Sequence, residues 1–223
     1  MGKLLPSLLI TKLLIILLLS ACGGKATITT TTIEDGWIRL NIKDIGSIDY
    51  PAYFLELQPV EYKTVGDEFN QMVELNSSEF TLQQIGLNEL KPSALSVYRR
   101  ILFTTVYLNT GEEVFKANEN CMCSKSELAE LQQGIIEQLR QVLEISGNRL
   151  IESVSLEIED SNGMFPLVHT YKKQLDNNPV VIVKNYQFRN YDMIHYLCFS
   201  YSVEDEEECK GIYDMILDSL RLY

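Results

Sequence analysis

Histidine is scarce in this chain: His169 and His195 are its only two among 223 residues. That leaves little material for imidazole-based metal sites or for general acid–base work near neutral pH. No G-x-S-x-G, H-E-x-x-H, G-x-x-x-x-G-K-[ST] or G-x-G-x-x-G pattern occurs either. A serine hydrolase, a zinc protease, a P-loop nucleotide enzyme and a dinucleotide-binding unit all lack their signatures. Positive charge is also short, with 19 Lys and Arg against 31 Asp and Glu and a net charge of −12. Such a chain repels phosphate backbones, so no nucleic-acid partner is expected. After residue 20 there is no apolar run long enough to span a bilayer.

The one long apolar run stands at the start. Residues 1–12 carry Lys3 and Lys12 and no acid, and every residue from Leu13 to Leu19 is Leu or Ile. A short positive region, an apolar region and a small-residue exit describe a signal peptide over residues 1–21. The segment is shorter than the roughly 20 residues of a permanent span. Its exit, "LSAC", resembles the bacterial lipobox: an aliphatic residue, two small residues, then Cys. The resemblance implies cleavage before Cys22 and diacylation of its thiol. An ordinary cleaved signal and an uncut anchor are the competing readings. Two or three acyl chains hold a protein on a bilayer where a single chain is marginal. Lys3 and Lys12 go with the leader, which leaves 17 basic and 31 acidic residues, a net charge near −14.

The mature chain, Cys22–Tyr223, has the length of one domain. Residues 22–36, two glycines and then a Thr-rich tract, read as a flexible tether. Fully extended, they reach at most about 45 Å. The globular domain is expected over residues 37–223. Short strand signals, "WIRLNI" and "GSIDYPAYFLELQ", open it. Helical spacing is present at 65–75, 125–146 and 205–221. The middle helix has the clearest signals: Ser124 with Glu127 makes a capping box, and Gly147 follows as a stop. After it come "LIESVSLEIED", "FPLVHTYKKQL", "PVVIVKNYQFR" and "MIHYLCFSYSV", separated by short turns that imply antiparallel neighbours.

Four cysteines remain beyond Cys22: Cys121, Cys123, Cys198 and Cys209. An envelope location permits disulfides, and Cys198 with Cys209 is the candidate pair, against the alternative that Cys198 is a buried apolar residue. "CMC" at 121–123 offers soft ligands that suit Cu(I). It lacks a third firm ligand, so Cys121 and Cys123 are weak metal candidates and a plain loop before the helix is the competing reading. No cofactor is expected. Among the late-strand aromatics, Tyr186 and Tyr191 with His195 are candidates for lining a ligand cleft, weighed against a role as ordinary strand and core residues.

"SIDYPAYFLEL", "VVIVKNYQFRNYDMIHYLCFSYSVED" and "CKGIYDMILDSLRLY" resemble, respectively, the opening strands, the long late hairpin and the closing helix of the Mog1/PsbP-like fold, which the DcrB-like bacterial lipoproteins share. The resemblance implies an α+β protein, an α/β/α sandwich around a mainly antiparallel sheet, serving as a binding or assembly-support domain rather than an enzyme. The implied setting is the bacterial cell envelope: held to the membrane through the N-terminal lipid, with another envelope protein as partner. Gly23 is not Asp, so by resemblance to the enterobacterial sorting rule the periplasmic face of the outer membrane is favoured in a Gram-negative host. The alternative is an envelope enzyme or small-ligand binder with its cleft near the late-strand tyrosines.

Overall fold

A computed structural model of the chain describes residues 27–58, 78–87, 97–107, 118–119, 123–176 and 178–223. The signal peptide, Cys22, the helix expected at 65–75 and Cys121 lie outside the described residues.

The first element corrects an expectation. Ile28–Thr32, placed by sequence in a flexible tether, is strand β1. It pairs antiparallel with β2 (Trp37–Ile42), from Ile28 opposite Ile42 to Thr32 opposite Ile38. Threonine is β-branched and favours extended backbone. A row of threonines therefore makes a polar edge strand where composition alone suggests a linker. Asp35 at φ 57° turns the chain between the two strands, and the Ile33 amide donates to the Trp37 carbonyl at 2.8 Å. Ile28–Thr32, inside the stretch read as a tether, are thus part of the sheet.

β2 pairs with β3 (Gly46–Pro51), and β3 pairs with the short β11 (Arg221–Leu222), so the first sheet runs β1-β2-β3-β11. Pro51 closes β3, since proline has no amide to continue a ladder. A turn over Ala52–Phe54 then passes the chain to a second sheet. That sheet contains β4 (Leu55–Leu57), β5 (Ser78–Gln84), β6 (Arg99–Tyr107), β7 (Asn148–Ile158), β8 (Leu167–Leu175), β9 (Val181–Asn190) and β10 (Met193–Ser202). Its order is β4-β5-β6-β10-β9-β8-β7, and each of these pairings is antiparallel.

Helix α1 (Lys125–Ile145) has the predicted capping box: Ser124 Oγ accepts from the Glu127 amide, and the Glu127 carboxylate accepts from the Ser124 amide at 2.7 Å. Gly147 at φ +70° ends the turn after it. Ile135 and Leu143 bury against the sheet beside β7. Helix α2 (Glu206–Ser219) buries the predicted stripe Cys209, Tyr213, Ile216 and Leu217 and touches both β3 and β10. The α+β class and the antiparallel pairing agree with the sequence. Within that class the strands divide between two antiparallel sheets, and α2 packs on both.

The main core draws Leu40, Ile48 and Tyr50 from the first sheet, Phe103, Tyr186, Leu197 and Phe199 from the second, and Tyr213 from α2. The Phe199 and Tyr213 rings stack with centroids 4.8 Å apart. Each large side chain fully removed from water contributes about 1.5–3 kcal/mol. Gly46 marks a close approach in the fold: a Cβ there would sit 2.0 Å from the Arg221 carbonyl oxygen.

One end of the molecule gathers several chain segments. The Lys43 amide donates to Thr27 O at 3.0 Å, the Tyr223 amide to Ile45 O at 3.0 Å, and Asn190 Nδ2 to Tyr223 O at 2.8 Å. Met193 lies opposite both Asn190 and Tyr107. Thr27, the β2–β3 turn, the β9–β10 turn, the end of β6 and Tyr223 therefore share this end. The β1–β2 turn, the start of β6 and the start of α2 lie at the opposite one.

Candidate functional site

Strand alternation separates the two cysteines proposed as a pair. Phe199 stacks on Tyr213 of α2, so its neighbour Cys198 points from the opposite face of β10, while Cys209 lies in the core beside Tyr213. Cys198 and Cys209 are not joined to one another. Burial pushes the Cys209 thiol up to about 12. Cys123 is half-buried and immediately precedes the α1 cap. No group of three or more His, Cys, Asp or Glu among the described residues is placed to hold a metal ion.

The late-strand trio does not form a cleft. Tyr186 is in the core, edge-on to Phe199 with centroids 5.6 Å apart, and burial pushes its hydroxyl up to about 12. His195 is fully buried, stacked on Phe103 at 5.7 Å, with Nδ1 3.0 Å from Thr105 Oγ1. Desolvation lowers it to about 4, which keeps the imidazole neutral. Tyr191 stands in the β9–β10 turn at φ 57° and is half exposed to water. Two of the three residues fill the interior, and the third faces solvent.

Two ion-paired groups hold elements together. The Arg99 guanidinium binds Glu208 and Asp205 at the start of α2 and lies 4.2 Å over the Phe54 ring. Lys184 Nζ pairs with Glu159 at 2.9 Å and sits 5.0 Å over the Tyr186 ring. Burial lowers the Lys184 pKa, but hydrogen bonds to Tyr186 and Glu159 outweigh it, and the ammonium is held above its usual range. A lysine held protonated is a poor nucleophile.

The other face of the larger sheet carries a polar network that the motif reading missed. Gln132 of α1 donates to Ser153 Oγ at 3.2 Å, and Ser153 Oγ lies 3.1 Å from His169 Nε2. Desolvation lowers His169 to about 4. Next along the sheet, Asn185 sits opposite His169 on one side and Cys198 on the other. Two residues on, Gln187 sits between Leu167 and Tyr196. Asn185 Oδ1 and Gln187 Nε2 are buried without a hydrogen-bond partner among the described residues. The signal was present in "VVIVKNYQFRN", where polar Asn185, Gln187 and Arg189 alternate with Tyr186 and Phe188. These are neutral donors and acceptors, suited to hydrogen bonding rather than to acid–base chemistry.

Beside this network the outer strand β7 exposes aliphatic side chains. The register shifts at Leu150/Glu152 and at Ser153/Ser155 leave Ile151 and Val154 as the extra residues of two bulges. Both are exposed, as are Ile145 at the end of α1 and Leu175 at the end of β8. Leu175 pairs with Asn148 at the start of β7, two residues after the end of the α1 segment's final turn at Ser146. Ile151 and Val154 lie along β7, and Ile145 and Leu175 lie beside its start.

No family model matches the chain, and no curated protein matches it. Solved structures similar to it at low sequence identity include the following three. The solution structure of the cyanobacterial PsbP protein CyanoP from Synechocystis sp. PCC 6803 is 11% identical, with 92% of this chain and 99% of that one covered, at a TM-score of 0.48. A Pseudomonas aeruginosa protein of unknown function, PA94, is 8% identical over 87% of this chain and 96% of that one, at a TM-score of 0.32. LpqN, involved in cell envelope biogenesis of Mycobacterium tuberculosis, is 9% identical over 90% of this chain and 87% of that one, at a TM-score of 0.26.

Proposed function

We propose that this chain is a bacterial envelope lipoprotein, anchored through lipid on Cys22, whose α+β domain binds another envelope protein and performs no catalysis of its own. The observation that carries the binding reading is the exposure of four aliphatic side chains on and beside one outer strand: Ile151 and Val154 of β7, Ile145 at the end of α1 and Leu175 at the end of β8. Exposed apolar groups on neighbouring elements mark candidate interaction surfaces. The bulges of β7 also discourage indiscriminate edge-to-edge pairing, which favours a side-chain contact with a chosen partner. "LSAC" after an apolar run supports the anchor. Both histidines are lowered and Cys209 and Tyr186 are raised, mainly by burial, which supports a domain without acid–base or nucleophilic chemistry.

A photo-crosslinking amino acid at Val154 in the full-length protein in intact envelopes, compared with one at the exposed Glu130 of α1, tests the binding surface. A discrete adduct at 154 that disappears with Ile151→Glu supports the reading. Absence of any adduct, or the same adducts at both positions, counts against it. The anchor is tested separately by labelled palmitate, which should enter the wild type and not Cys22→Ala.

A second reading, a binder of a small neutral ligand, rests on Asn185 and Gln187. Leaving a buried polar atom unpaired costs about 1–3 kcal/mol. If that cost is retained for binding, Asn185→Leu raises stability. A variant less stable than wild type would argue that the amide is structural.

A further inference from the structure

We infer that the end of the domain carrying Tyr107, Tyr191 and Tyr223 lies against the lipid bilayer. The inference rests on the lipoprotein reading and adds an orientation to it. Because Ile28–Thr32 belongs to the sheet, few residues remain between the anchor and the fold. Cys22 and Thr27 are five Cα steps apart, which spans at most about 18 Å. The Thr27 carbonyl is fixed to the Lys43 amide at 3.0 Å, so the chain enters the domain beside the β2–β3 turn. The anchor therefore leaves from the end where Thr27, the β9–β10 turn, the end of β6 and Tyr223 meet.

The side chains there suit a headgroup layer. Tyr107, Tyr191 and Tyr223 are exposed to 51%, 49% and 68%. Tyrosine combines an apolar ring with a polar tip and is enriched at membrane–water interfaces. Among the described residues, charges at this end are of both signs, with Lys43 beside Asp44, Asp192 in the adjacent turn and exposed Arg221 two residues before Tyr223. The acidic run Glu204–Glu208 is at the other end, beyond Ser202 at the far limit of β10. The ten residues of β10 put it about 30 Å away. That distance is several times the roughly 8 Å Debye length at physiological ionic strength. An acidic protein can thus rest on an anionic leaflet with its densest negative charge out of range. The far end exposes Tyr53, Ile85, Leu175 and Val203, so exposed apolar and aromatic side chains alone do not choose between the ends. The point of entry of the chain and the placement of charge do.

The single tryptophan provides the test. Trp37 pairs with Pro51 near the β1–β2 turn, at the far end. Full-length, palmitate-labelled protein is reconstituted in vesicles of phosphatidylethanolamine, phosphatidylglycerol and brominated phosphatidylcholine. Bromine should leave the wild-type emission from Trp37 unchanged. It should quench the added emission of Tyr191→Trp, and of Tyr223→Trp, severalfold more than that of Tyr53→Trp, whose site is at the far end. Equal quenching at both ends, stronger quenching at Trp37 or Tyr53→Trp, or none in a labelled protein overturns the orientation alone. Failure of palmitate to label the wild type overturns the lipoprotein reading and the orientation with it.

Discussion

Acid should destabilise this protein through its two histidines, and His195→Gln should remove about half of that effect. His195 and His169 are buried, and desolvation lowers each from 6.5 to about 4. The unfolded chain therefore binds protons that the folded chain refuses between about pH 6.5 and pH 4. Stability is highest above the unfolded value and is lost as pH falls through that window. A shift of about 2.5 pKa units corresponds to about 3 kcal/mol for each histidine. Within the window each contributes a slope of about 1.4 kcal/mol per pH unit. Among the described residues His195 meets uncharged Phe103, Thr105 and Phe188, and burial is the cause of its lowered value. Glutamine keeps a polar group to face Thr105 without taking up a proton. The assay is urea unfolding followed by Trp37 fluorescence from about pH 7 to about pH 4.5, with wild type and variant compared at each pH. The unfolding free energy of the wild type minus that of the variant should fall steadily as pH falls. A difference constant over the whole range would refute the reasoning, because His195 would then titrate alike in both states.

Two further outcomes follow from the geometry. Gly46→Ala should cost on the order of 3 kcal/mol, near the upper end for a single substitution, because the new Cβ meets the Arg221 carbonyl oxygen at 2.0 Å and neither group is a flexible side-chain end; a thermal melt lowered by less than a degree would show that β11 moves aside freely. Iodoacetamide should label half-buried Cys198 in the native protein well before Cys209, whose thiol is fully buried and raised to about 12; equal native rates would contradict the packing of α2.

The local elements were legible because each has a local cause. Ser124, Glu127 and Gly147 define α1 through caps, and the stripe Cys209, Tyr213, Ile216 and Leu217 defines the buried face of α2. Alternation in "HYLCFSYSV" marks two faces of β10, but a period of two does not say which face meets α2. That is why Cys198 and Cys209 looked like neighbours and lie on opposite sides. β1 was hidden for another reason: four threonines in a row carry no apolar pattern, and their pairing depends on β2, which follows them. The site was the least legible. Ile151 and Val154 are three apart, which in a regular strand puts them on opposite faces, and only the two bulges expose both. Register shifts leave no mark in composition.

The incorporation of Ile28–Thr32 into the sheet also sets how the molecule bears load. If lipid on Cys22 holds the chain and a partner grips its outer strand, as proposed, tension would enter through Thr27 and run into β1. β1 pairs with β2 over five residue pairs, from Ile28–Ile42 to Thr32–Ile38. A pull along the strand stretches these bonds together in shear, whereas a sideways pull would open them one at a time from Ile28. The pairing would give way at a rate set by the unfolding barrier under force, not by the equilibrium stability of the domain. Under that proposal the row of threonines would act as a short mechanical fuse between membrane and fold.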